Sequence, residues 1–245
     1  MANESNDYKM TFLEHLEELR KRLLISIIAI AIGATIAYFF SPEILSLLKK
    51  PAGPSLGKLK VLSLTEGFMA YFKIAIIVGI ILSIPIIFYQ VWAFISPALK
   101  PGERRHVHLF VFWTTISFLA GCIFAYTVLL PFAIPYLLNF GSGELEPMIT
   151  VTKYLSFTST MILGCGAVFE LPILIYLLTM LGIVTTGFLT RNRKYAVLVC
   201  FVAAAIITPT GDVVNLLLLA VPMIGLYEIG ILASRLVKRK ERQIP

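Results

Sequence analysis

Two glutamates set among basic residues have the type and placement to receive a cationic ligand. Glu103 stands in the run Phe94-Ile-Ser-Pro97-Ala-Leu99-Lys-Pro101-Gly102-Glu103-Arg104-Arg105, a lone acid between Lys100 and two arginines. Glu18 stands in His15-Leu-Glu-Glu18-Leu-Arg20-Lys-Arg22, four residues before Arg22. A guanidinium binds a carboxylate through two parallel N–H···O bonds, so two such acids could read a pair of arginines on a peptide. The plainer alternative is local neutralisation. Glu17–Lys21 and Glu18–Arg22 have the spacing of intrahelical pairs, and exposed pairs of that kind contribute only ~0–1 kcal/mol. Spacing alone leaves both possibilities open.

A third acid is costly wherever it points. Glu170 lies near the middle of a long apolar stretch, where an ionised carboxylate costs at least ~2.5–3.5 kcal/mol on insertion scales. At 100° per residue Ser156, Thr160, Ala167 and Glu170 share one side of a helix, a small and polar stripe that reads as a wet groove. A protonated acid hydrogen-bonded inside a bundle is the alternative. Glu228 sits near the end of another apolar stretch and can snorkel to the interface. Asp212 has the position of a helix N-cap.

The elements that must position these groups follow from composition. Of 245 residues, 58% are hydrophobic and 14% charged, against about a quarter charged in soluble chains. Apolar runs of about 18 or more residues read as transmembrane helices. Six are expected: Leu23 to Ser41, about Ile74 to Ile95, about Leu109 to Leu130 with Pro131 as the stop, about Tyr154 to Leu181, about Tyr195 to Thr208, and about Val213 to Ala233. The fifth is short of a ~30 Å hydrocarbon core, and with the sixth it reads as a short hairpin around Thr208-Pro-Thr-Gly-Asp212.

The expected architecture is an all-α integral membrane protein of six transmembrane helices, the fifth and sixth short. It forms one polytopic domain: an amphipathic cytoplasmic helix over 1–22, a bundle over 23–234 and a basic tail over 235–245. Thr11-Phe-Leu-Glu14 offers a capping box for the first helix. Of the 21 lysines and arginines, 15 fall on the side holding both termini, which the positive-inside rule makes cytoplasmic. The first outer loop, Pro42 to about Phe72, carries apolar segments and should cap the bundle.

Other chemistries find no support. The polar opening segment and the length of the run after Arg22 argue against a cleaved signal peptide. Cys122, Cys165 and Cys200 lie in apolar runs without metal-ligand spacing. His15, His106 and His108 lack matching ligands, and neither a phosphate-cradling glycine loop nor a nucleophile–base pair is present. No cofactor, metal or nucleic-acid partner is expected, and no catalysis. The net charge of +7 belongs to the membrane topology, and Lys238-Arg-Lys-Glu-Arg242 reads as an anionic-lipid anchor.

Taken in order, these landmarks resemble the TatC family, the polytopic core subunit of the twin-arginine protein translocase. The resemblance rests on His15 to Arg22, on Tyr89-Gln-Val-Trp92-Ala-Phe94-Ile-Ser-Pro97-Ala-Leu99 with Glu103-Arg104-Arg105, on Thr65-Glu66-Gly-Phe68, on Phe169-Glu170-Leu-Pro172, and on Thr208-Pro209 with Asp212. It implies a cup-shaped six-helix receptor for the signal peptides of folded export substrates, in the bacterial cytoplasmic membrane. It further implies single-span partners of the TatA/TatB type, higher-order assembly and dependence on the proton gradient. It places the arginine pair at Glu18 and Glu103, with Arg20, Phe94, Leu99 and Arg105 in the same patch. Glu170 matches the acid of the concave side, with Ser156 and Thr160 along its groove, and Pro51 and Asp212 match sensitive outer positions. Thr208-Pro-Thr-Gly-Asp212 departs from relatives with a second proline, and Asn215 and Leu216 stand where partner contacts are expected. The residues taken alone also fit an ion-coupled solute transporter built on Glu170, or a membrane scaffold without a ligand.

Overall fold

The computed structural model describes residues 12–98, 107–140 and 148–241. They are helical nearly throughout, the one extended feature among them being a parallel bridge between Lys60 and Thr150. The helices are α1 (Phe12–Phe39), α2 (Ser41–Lys49), α3 (Glu66–Ile95), α4 (Val107–Phe124), α5 (Leu130–Asn139), α6 (Val151–Val168), α7 (Leu171–Met180), α8 (Thr186–Arg191), α9 (Arg193–Ile207) and α10 (Val213–Glu241). Five segments are long and apolar enough to cross a bilayer: Leu13–Phe39, Glu66–Ile95, Val107–Asn139, Val151–Met180 and Val213–Leu236. Their unburied apolar side chains, such as Ile27, Ile28, Ile32 and Ile36 on α1, are what lipid-facing helices present.

Two boundaries differ from the sequence expectation. The third apolar stretch does not stop at Pro131. A wide π turn at Ala125–Leu129 precedes it, and the helix then runs through Pro131 and Pro135 to Asn139. The extra residue in that turn re-registers the chain so that Pro131 falls in a first turn, where its missing N–H is not needed. The last helix is not short either. Only α9 is, with 15 residues, or about 22 Å at 1.5 Å per residue. α10 has 29 residues, because the basic segment after Ala233 contains neither glycine nor proline and its lysines, arginines and Glu241 favour helix.

Close backbone contact fixes the two crossings that matter for the acids. At the α1–α3 crossing a Cβ on Gly79 would stand 2.5 Å from the Ala34 amide nitrogen. At the α4–α6 crossing a Cβ on Gly121 would stand 2.7 Å from the Cys165 carbonyl oxygen. Only glycine permits either approach, the usual device where lipid supplies no hydrophobic drive. The buried core runs through Ile74, Leu129, Leu130, Leu155, Met161 and Leu219.

The first long connection caps one end of the bundle. Ala52 and Leu56 of the turn Lys50–Leu56 are buried in the core. The Tyr126 and Tyr154 hydroxyls donate to the Leu47 and Leu48 carbonyls at 2.9 and 2.6 Å, satisfying acceptors that a helix end leaves free. Lys60 donates to the Ile149 carbonyl and accepts from the Val151 amide, at 2.9 and 3.1 Å. At the opposite end Trp92 stacks on Phe110 at 4.6 Å, in a cluster with Val107, Leu177 and Met180. That cluster fixes the last turn of α3 and the first of α4, and so both ends of the connection that carries Glu103.

Candidate functional site

Glu18 lies in a small polar site between α1 and α3, at the end opposite the cap. His15, Glu18 and Arg22 recur at i, i+3 and i+7 on one face of α1, and Gln90 and Phe94 stand one turn apart on α3. The His15 ring stacks on Phe94 with centroids 4.3 Å apart and planes 18° apart. Arg22 directs both Nε (2.9 Å) and Nη2 at the same Glu18 oxygen, Oε1, and its Nη1 reaches Gln90 Oε1 at 3.3 Å. The intrahelical pair anticipated from spacing is therefore formed.

That pair does not satisfy the carboxylate. Glu18 Oε2 is shielded from solvent and accepts no hydrogen bond, with His15 Nδ1 4.0 Å away. A buried acceptor left unmade costs about 1–3 kcal/mol, so Oε2 favours a donor brought in from outside. Arg22 holds the carboxylate by its other oxygen.

The structure brings Phe94 onto His15, one turn from Glu18, and leaves Arg20 exposed, about 200° around α1 from Glu18 at 100° per residue. Glu103, Leu99 and Arg105 lie outside the described residues.

Glu170 occupies the break between α6 and α7. Its amide bonds to Ala167 and its carbonyl accepts from Leu174 at 2.8 Å, while Pro172 opens α7. Ser117 of α4 donates to the neighbouring Phe169 carbonyl at 2.6 Å, holding the break against the Gly121 crossing. Glu170 Oε1 is shielded and without a hydrogen bond. Along the same face of α6, Ser156 is half-buried while Thr160 and Ala167 are exposed. The polar stripe read from the sequence is therefore a surface leading to a partly satisfied acid.

At the cap end, Pro51 is half-buried in the turn beside Ala52. Asp212 is the N-cap of α10: Oδ1 accepts from the Asn215 amide at 2.8 Å, and Oδ2 from Asn215 Nδ2 at 2.9 Å. Burial pushes the Asp212 carboxyl up, but hydrogen bonds from the Asn215 amide, Thr210 and the Asn215 side chain outweigh it and hold it below the usual carboxylate range. Asn215, fully buried, also donates to Thr210 at 3.1 Å.

Two residues with specific partners escaped sequence reasoning. Glu66 figured only as a landmark, yet its carboxylate accepts from the Leu62 amide at 2.6 Å and the Thr152 amide at 3.3 Å. It joins the cap to the first turn of α6. Lys73 drew no notice in the sequence, yet it stands two turns inside α3 and its Nζ donates to Ser156 at 2.6 Å. An acid at a helix start is a recognisable signal; a partner more than eighty residues away is not. Among the described residues no cluster of three His, Cys, Asp or Glu could hold a metal ion.

With this geometry in view, known proteins offer a comparison. The family profile described as "TatC: Sec-independent protein translocase protein (TatC)" matches residues 14–222. A "Sec-independent protein translocase protein TatC" of Carboxydothermus hydrogenoformans is 45% identical over 235 residues, covering 96% of this chain and 97% of that one. That of Aquifex aeolicus is 39% identical over 239 residues, covering 96% and 99%. A crystal structure of the "Twin Arginine Translocase Receptor- TatC" superposes with a TM-score of 0.80 at 39% identity, covering 92% of this chain and all of the other.

Proposed function

The chain belongs to the TatC family of Sec-independent protein translocase proteins, and from that premise we propose that it is the twin-arginine signal-peptide receptor of its translocase. As a family member it is a multi-pass membrane component of a protein-transport machine that works with partner Tat subunits, and not an enzyme. In the proposed reading it is a cup-shaped bundle of six spans in the bacterial cytoplasmic membrane, with α9 as the short fifth. Both termini and the Glu18 site face the cytoplasm, and the cap faces outward. It forms the core of an assembly with single-span TatA/TatB-type subunits that exports folded proteins at the expense of the proton gradient.

One observation carries the reading: Glu18 Oε2 is buried and unpaired, and Arg22 holds the carboxylate by its other oxygen. A peptide guanidinium docking there supplies the missing donor, and Phe94, stacked on His15, offers an apolar wall for its stem. Glu103 takes the second arginine, with Arg20, Leu99 and Arg105 around it in the same patch. The apolar part of the signal follows the groove of Ser156 and Thr160 toward Glu170. Pro51 and Asp212 act from the outer side by fixing the cap and the α9–α10 link.

The test is titration of a fluorescent twin-arginine peptide against the detergent-solubilised chain and its Glu103→Ala variant. Weaker binding with unchanged helicity is expected, and a twin-lysine peptide should bind weakly to both, because an ammonium cannot make the two-pronged bond. Equal affinity of the two proteins for the arginine peptide would remove Glu103 from the site.

A further inference from the structure

A cavity of about 460 Å³ opens at the cap end between α5, the start of α6 and the α9–α10 link. Its interior is apolar, with Leu138, Ile149 and Phe157 in its wall, and its rim carries Thr152, Lys153 and Ser156. Ser156 is shared with Lys73, whose Nζ approaches its hydroxyl from α3 at 2.6 Å. Lys153 of the lining and Lys73 beside Ser156 bring two basic side chains to the polar side of the rim, and among the described residues no carboxylate lines the cavity. Glu66 touches Thr152, but its oxygens face the Leu62 and Thr152 amides.

We propose that this cavity binds an anionic phospholipid of the cap-side leaflet, with one acyl chain in the apolar interior and the phosphate between Lys153 and Lys73. The volume falls in the ~300–1,000 Å³ range of small-ligand sites. In a bilayer the apolar material at hand to fill its interior is lipid. Among the described residues the half-buried Lys73 donates to a neutral hydroxyl and forms no ion pair, which leaves its charge without a counter-charge. A phosphodiester supplies it, whereas a zwitterionic lipid brings its own cation to the rim. The cavity shares Ser156 with the groove assigned to the signal, but its test reads lipid labelling and not peptide binding, so its failure leaves the receptor reading at Glu18 untouched.

The experiment uses the full chain in nanodiscs doped with phosphatidylglycerol or phosphatidylcholine carrying an acyl-chain diazirine, with labelled residues mapped by mass spectrometry. Labelling should concentrate on Leu138, Ile149 and Phe157 above the lipid-exposed face of α1, and should favour phosphatidylglycerol. Lys153→Met and Lys73→Met should each cut that preference about fivefold, the effect of one basic residue near a headgroup. Lys153 is exposed, so its variant keeps the test valid should Lys73→Met fail to fold. Labelling no stronger than on α1, equal labelling by both lipids, or a preference unmoved in Lys153→Met would each overturn the proposal.

Discussion

The two ends of the bundle use carboxylates in opposite ways. At the cap end Glu66 and Asp212 are spent on amides: Glu66 ties Leu62 to Thr152, and Asp212 caps α10 through Asn215. At the other end the exposed Glu228 is paired with Arg193 at 2.8 Å, but Glu18 gives one oxygen to Arg22 and keeps the second buried without a donor. Glu170, between the two ends at the α6–α7 break, likewise holds a shielded oxygen back. Asn215 Oδ1 is an exception at the cap, buried without a donor although its amide nitrogen makes two bonds. An acid with all its acceptors occupied is a fastener, whereas one with an acceptor held open can take a further donor. The same residue type serves either purpose, according to whether a backbone amide stands within reach.

The largest expected effect sets the two kinds of acid against each other. Glu18→Gln should weaken twin-arginine peptide binding by about thirtyfold, the low end of losing one side of a buried charge pair, with little change in melting temperature. Glu66→Gln should do the reverse, lowering the melting temperature while peptide affinity in the folded fraction holds. Parallel titrations and melts decide it, and two variants failing in the same way would break the distinction.

Next in size, Gly79→Val should cost about 1–3 kcal/mol of stability through overpacking. It should also weaken peptide binding from a distance, since the α1–α3 crossing sets His15, one turn from Glu18, against Phe94. Denaturation and peptide titration on one preparation test both halves. Tyr154→Phe should remove about 1 kcal/mol by deleting the hydrogen bond to the Leu48 carbonyl. Its effect should appear as faster amide exchange in α2 and leave peptide binding alone.

The smallest effect is a pH dependence confined to the cap end. The Asp212 carboxyl is held low when folded, so its stabilising contribution is present above the ordinary aspartate pKa and is lost as pH falls through the lowered value. Amide exchange near Val213 and Val214 should accelerate over that acidic range, and the acceleration should vanish in Asp212→Asn. An unchanged profile in that variant would assign the effect elsewhere.

The sequence disclosed most of the fold because lipid imposes a simple pattern. Long apolar runs located five spans and the short α9, and glutamates in unusual company pointed to Glu18 and Glu170. Pro131 misled because a proline's effect depends on its phase within the helix, and the π turn before it changed that phase. The long α10 was missed because basic residues end an apolar run without ending a helix. Glu66 and Lys73 were passed over because their partners, Thr152 and Ser156, stand 86 and 83 residues away. Tertiary pairings of that kind leave no spacing to read.

The π turn has a consequence for inheritance. Beyond it Leu130, Ala133, Ile134 and Leu138 face inward, and Phe132 is 64% exposed. With the same residues wound as an ordinary helix through 125–129, everything from Leu130 onward would rotate by about 100°, and the inward row, with the cavity wall at Leu138, would swing toward lipid. The wide turn holds one residue more than an ordinary turn, so losing one residue from 125–129 would restore an ordinary helix and leave every later side chain at its present angle. This stretch is therefore where the helix can change its length by one residue without moving the inward row, whereas a deletion beyond it would turn all that follows.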